Sequence, residues 1–198
     1  MTMFAWLTRS SRAMCRRTGV SDRSLCRCFV PMTGAELAQR LPWLGSVLYL
    51  QAPLRGGYDA SSHLPTGWLV ERPELAPLLA TTQLILSSQI GADGPREWID
   101  GFDAQGQLLA SLHLLPDTDY LAWDALLADG YCLPAAWLRG ERRRQHAGHA
   151  EILQFQVRRM GGLQLLESAP ATQLSRLGRV VAGDVARTWS VDLAPAPG

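Results

Sequence analysis

Two segments, Arg96–Phe102 and Gln107–Leu115, flank the tetrapeptide Asp103-Ala104-Gln105-Gly106. An acid first and a glycine last mark a four-residue turn, so the stretch is predicted as a β-hairpin. This feature constrains the chain most, because it commits the centre to an antiparallel sheet. In the second strand Leu108, Ala110, Leu112 and Leu114 fall on one face, and Leu109, Ser111 and His113 on the other. One face is apolar and the other mixed, as in a sheet covered by helices on one side. Gln83–Ile90 reads as the preceding strand, reached through a turn at Gly91-Ala92-Asp93-Gly94.

Around this centre the elements are short. Thr33-Gly34-Ala35-Glu36 has the spacing of a capping box, in which hydroxyl and carboxylate satisfy each other's backbone amides. The helix it starts should end at Pro42. Val47–Leu50 and Trp68–Val70 read as buried strands, with a turn at Gly56-Gly57 between them. Glu74–Ala80 is a helical turn or two, weakened by Pro77. Asp117-Thr118-Asp119 caps a helix over Tyr120–Ala128, closed by Gly130. Ile152–Val157 and Leu163–Leu166 are predicted strands joined across Gly161-Gly162, and Leu174–Ala186 a helix. No internal repeat is visible. The class is α+β, an antiparallel sheet flanked by helices.

Charge divides the chain in two. Residues 1–31 hold six arginines against one acid, Asp22, and residues 32–198 hold 13 arginines against 17 acids. Residues 1–31 are therefore expected to be a basic extension and residues 32–198 the domain. Three readings of the extension stand: an organelle transit peptide, a basic arm for nucleic acid or acidic lipid, or translation from an upstream start, with Met32 the first native residue. The overall net charge of +1 argues against a surface built for nucleic acid. No apolar run reaches the roughly 18 residues that a membrane-spanning helix needs, so no membrane insertion is expected. Three of the four cysteines, Cys15, Cys26 and Cys28, lie in the extension, and Cys132 stands apart. No second pair sits at zinc-site spacing, so reduced thiols in a cytoplasmic protein are expected.

Familiar catalytic signatures are absent: there is no G-x-S-x-G elbow, phosphate-binding loop or H-E-x-x-H helix. No catalytic residue is assigned. Of four histidines, His146 and His149 have a three-residue spacing that, with Glu151, suits either a metal ion or a solvated linker. His113 sits on the mixed strand face. His63 lies in a polar stretch between strands, where a side chain can point into a cleft. Seven tryptophans are many for 198 residues, and Trp43 and Trp123 are expected in the core. Wide aromatic walls also suit a flat ligand, and Arg55, Arg72 and Arg96 near such a cleft are able to pair with its carboxylates, or to serve as solubilising charges. The run Arg139–Arg144 is a basic cluster in a loop.

Leu41-Pro42-Trp43-Leu44-Gly45-Ser46-Val47, then Gly67-Trp68-Leu69-Val70, then Phe102-Asp103-Ala104-Gln105-Gly106 and Leu121-Ala122-Trp123-Asp124-Ala125-Leu126 occur in this order. The succession resembles the bacterial haemin-transport carriers (HemS-like, with the single-unit ChuX/HutX-like proteins) over about residues 34–128, one repeat unit. The resemblance implies a cytoplasmic carrier that takes haem from an importer and passes it to a haem-using enzyme in haem uptake and iron acquisition. It implies haem as the bound group, His63 as first candidate for its iron and His113 as reserve, with arginines such as Arg72 and Arg96 toward the propionates. A single unit of a family that often has two implies a homodimer. A non-haem interaction or regulatory module on the same fold, or an enzyme that degrades haem, are the other expectations.

Overall fold

The alternating strand at the centre of the sequence becomes one strand of a nine-stranded sheet. A computed structural model of the chain describes residues 25–53, 60–91, 94–132 and 146–194. In chain order the elements are β1 (Leu25–Val30), α1 (Gly34–Arg40), β2 (Ser46–Gln51), β3 (Trp68–Val70), α2 (Ala76–Leu79), β4 (Gln83–Gly91), β5 (Gly94–Phe102) and β6 (Leu108–His113). They continue with α3 (Tyr120–Leu127), β7 (Tyr131–Cys132), β8 (His149–Met160), β9 (Leu163–Pro170) and α4 (Arg176–Thr188). The sheet runs β3-β9-β8-β2-β6-β5-β4-β1-β7, and every pair is antiparallel except β3 with β9. The fold is α+β. The turns at 56–57 and 92–93, Arg55, Cys15 and the cluster at 139–144 lie outside the described residues.

Local chemistry explains the ends of these elements. Thr33 and Glu36 make both bonds of the capping box. At the β5–β6 turn Asp103 Oδ1 accepts from the amides of Gln105 and Gln107 at 2.9 and 2.8 Å. Gly106 there has φ of +77°, a conformation only glycine takes without strain. Asp119 caps α3 by accepting from the amides of Leu121 and Ala122. Trp43 departs from expectation at 75% exposed. Pro42 opens a turn of 3-10 helix over Leu41–Leu44, whose three-residue period turns Leu41 and Leu44 inward and Trp43 outward.

Both faces of the sheet are covered. On one, Val47, Tyr49, Leu84, Leu86, Ile99 and Leu112 pack with Leu37 of α1, Leu78 of α2, and Trp123 and Leu126 of α3. On the other, Leu48, Leu50 and Ala150 pack with Val181, Ala182 and Ala186 of α4 and with Trp189 beyond it. The expectation of helices on one side only is thus corrected, because the mixed face still offers Leu48 and Leu50 as an apolar strip. Strict alternation in β6 is also broken. Gly101 pairs with Ala110 and Phe102 with Leu108, which leaves Leu109 as a bulge. Leu109 turns to Ala76 and Ala80, and Leu108 to the α4 side.

The basic extension contributes to the sheet. β1 pairs with β4 over six residues and with β7 over two, and Cys28 and Val30 are buried in the first core. The boundary placed after residue 31 therefore falls immediately behind a strand that the sheet holds on both sides.

Candidate functional site

Register across the sheet assembles a polar array that no stretch of sequence contains. One row crosses five strands on the α4 side: Arg27 of β1, Ser87 of β4, Trp98 of β5, His113 of β6 and Leu48 of β2 are successive cross-strand partners. The next row on that side is Phe29, Ile85, Asp100, Ser111 and Leu50. Tyr131 of β7 extends it, its ring 5.3 Å from that of Phe29. Leu48 and Leu50 lie under α4, whereas Phe29, Ile85 and Trp98 stay half-buried and Tyr131 exposed.

The centre is a chain of hydrogen bonds. Ser111 Oγ donates to Asp100 Oδ1 at 2.8 Å, and Trp98 Nε1 donates to Asp100 Oδ2 at 3.0 Å. His113 Nε2 is 3.2 Å from Ser111 Oγ. With its proton directed at Asp100, the serine oxygen accepts from His113, which assigns the Nε2–H tautomer to the ring. The imidazole stacks on Trp98, with centroids 5.8 Å apart and planes 13° apart, and Trp189 meets it edge-on at 5.9 Å.

Burial sets the charges. It pushes the Asp100 carboxyl up to about 6, against the pull of Ser111, Trp98 and Arg27. It pushes His113 down to about 3, helped by the charge of Arg96. At neutral pH the array holds a carboxylate beside a neutral imidazole. Ser87 Oγ, fully buried in the same row, has no hydrogen-bond partner among the described residues. Arg96 reaches α4, with Nη2 3.7 Å from Asp184 Oδ2.

The sequence candidates are divided between the two faces. His113 and Arg96 belong to this array. Arg72 lies on the opposite face, where it binds Glu151 at 2.7 Å and Ser168 Oγ at 3.2 Å. Glu151 pairs across the ladder with Tyr49 of the first core, and also takes His149 Nε2 at 3.1 Å. His63 ends a short 3-10 turn, Ala60–His63, and is exposed, while Ala60 of that turn packs against Ala76 and Ala80. His149 opens β8, so the helical spacing of His146 and His149 does not arise. Among the described residues no group of three or more His, Cys, Asp and Glu is placed to hold a metal ion. Trp98, Asp100 and Ser111 were not foreseen as site residues. Their period-two spacing along adjoining strands was readable, but their meeting depends on register.

Compared with family models and with curated proteins, the chain matches none. No helix among the described residues is long and apolar enough to cross a membrane.

Proposed function

We propose that the chain is a haem carrier, its cargo held on the α4 side of the sheet and released unaltered. The observation that supports this best is the row Arg27, Trp98 and His113, flanked by Arg96 and bordered by Phe29 and Tyr131. Half-buried rings suit a flat apolar macrocycle, and guanidinium groups suit its carboxylates. The imidazole is the less ready part. His113 Nε2 is engaged by Ser111 and the ring lies between two indoles, so His113 would bind iron only by exchanging that bond. The resemblance to haemin carriers points to the same cargo, and to a cytoplasmic homodimer that draws on an importer. The exposed His63 is the second imidazole to test.

A haemin titration of the full chain tests the reading in the Soret region. The expected result is a saturable, shifted band of one-site stoichiometry, with Trp98→Leu weakening binding about tenfold, the loss of one stacking contact. His63→Ala leaves that spectrum unchanged if the α4 side holds the cargo, and His113→Gln alters it. A featureless, non-saturable rise would overturn the proposal. An interaction module without haem would then lead, a reading favoured by how fully His113, Arg72 and Arg96 are already paired. Its signature is stable self-association of the ligand-free chain.

A further inference from the structure

We infer that Asp100, Ser111 and His113 form a proton relay, in which the carboxyl acts through the hydroxyl to decide which ring nitrogen of His113 carries the proton. The geometry fixes the direction of each bond. Asp100 Oδ1 faces Ser111 Oγ at 2.8 Å, and Oδ2 faces Trp98 Nε1 at 3.0 Å. A hydroxyl can accept a hydrogen bond and an indole N–H cannot, so a protonated Asp100 carries its proton on Oδ1. Ser111 Oγ then accepts from Asp100, and its own proton turns to His113 Nε2, 3.2 Å away. Nε2 takes that bond only with its lone pair free, which puts the ring proton on Nδ1.

Keeping the ring proton on Nε2 is the costlier arrangement. Ser111 Oγ would then accept from both neighbours, and its own proton would have no acceptor in the chain of bonds. Ser111 is 1% exposed, and a buried donor left unpaired gives up its water for nothing in return. The reversal balances in protons. One solvent proton bonds to Nδ1, the Nε2 proton passes to Ser111 Oγ, and the hydroxyl proton passes to Asp100 Oδ1. The chain takes up one proton and the imidazole stays neutral. Nε2 thereby changes from a donor to an acceptor.

The groups around the relay let the carboxyl, rather than the ring, hold the added proton. Burial brings the Asp100 carboxyl up to about 6, against the pull of Arg27 on β1. Burial, helped by Arg96 on β5, keeps His113 from taking a second proton until about 3. From α4, Asp184 holds both Arg96 and Arg187. β4 and β2 bring Ser87 and Leu48 to the row of His113, and neither titrates in this range. Trp98 and Trp189 wall in the ring and carry no charge.

The test uses the ligand-free full chain, labelled with nitrogen-15 and followed by NMR of its imidazole nitrogens, with His113→Gln assigning the signals. The expected ring proton is on Nε2 at about pH 8 and on Nδ1 at about pH 5, with one transition between them. Asp100→Asn should show Nδ1–H at both ends, because its amide donates to Ser111 while its oxygen accepts from Trp98. Ser111→Ala should abolish the step. Nε2–H throughout the titration of the unaltered chain would overturn the relay. So would an imidazolium at about pH 5 in a chain still folded by circular dichroism. An Nε2–H ring in folded Asp100→Asn counts equally against it, and should that variant not fold, the titration of the unaltered chain decides.

Discussion

Asp100 and His113 are separated by one hydroxyl, and their titrations pull stability in opposite directions. Asp100 holds its proton more tightly in the fold, at about 6 against an ordinary 3.8, so stability falls as pH rises from about 4 to 6. His113 is the converse. Its folded value of about 3 lies below the ordinary 6.5, so the unfolded chain takes up the proton first and stability falls as pH drops below about 6.5. Between pH 4 and 6 the two slopes, each up to about 1.4 kcal/mol per pH unit, largely cancel. Asp100→Asn should therefore unmask the histidine, and the variant's stability should fall steeply with acid. His113→Gln should unmask the carboxyl and give a protein that is most stable near pH 4. Urea melts of the three proteins across this range check it, and parallel profiles would count against the assigned environments. None of this was legible in the sequence. His113 was readable as a strand histidine on a mixed face, but the indoles that bury it come from β5 and from beyond α4.

Elements were legible where the chemistry is local. The capping box of α1 and the Asp103–Gly106 turn depend on residues three or four apart, and both formed as read. The bulge at Leu109 was not legible, because an alternating apolar strand carries no mark of where one residue is skipped. Two glycines make a test at this scale. Gly34, the first residue of α1, lies so close to α2 that an added Cβ would collide with the carbonyl oxygens of Leu78 and Leu79. Gly34→Ala should cost about 1–3 kcal/mol, although alanine is the better helix former. Gly183, in the middle of α4, has nothing within 4 Å of that position. Gly183→Ala should add about 0.5–1 kcal/mol. Thermal melts of the pair separate close packing from propensity, since propensity alone moves both variants upward.

At the scale of the molecule, charge segregation suggested a dividing line at Met32, and the sheet extends past it. Cys28 and Val30 fill positions in the main core, and β1 holds β7 to β4. Composition reads the arginines of residues 1–31 as one block, but Leu25–Val30 forms a strand within it. A chain begun at Met32 would expose the outer edge of β4 and lose both β1 and the anchor of β7. We expect it to melt about 6–24 °C lower than the full chain, since burying two such side chains is worth about 3–6 kcal/mol and each kcal/mol moves the melt of a chain this size by about 2–4 °C. Equal melting temperatures would show that β1 contributes nothing to the folded sheet.

The pairing of β2 with β8 also sets a timetable for synthesis. Ser46 and Gln154 lie side by side across that pair yet are 108 residues apart in the chain. At about 5–20 residues per second, β2 leaves the ribosome roughly 5–20 seconds before its partner exists. For that interval Leu48 and Leu50, later covered by α4, have no cover, and β2 presents an open backbone edge in the middle of what becomes the sheet. The nascent chain therefore carries an unpaired apolar strand throughout that interval, and slowing translation after β6 would lengthen its exposure rather than help it fold.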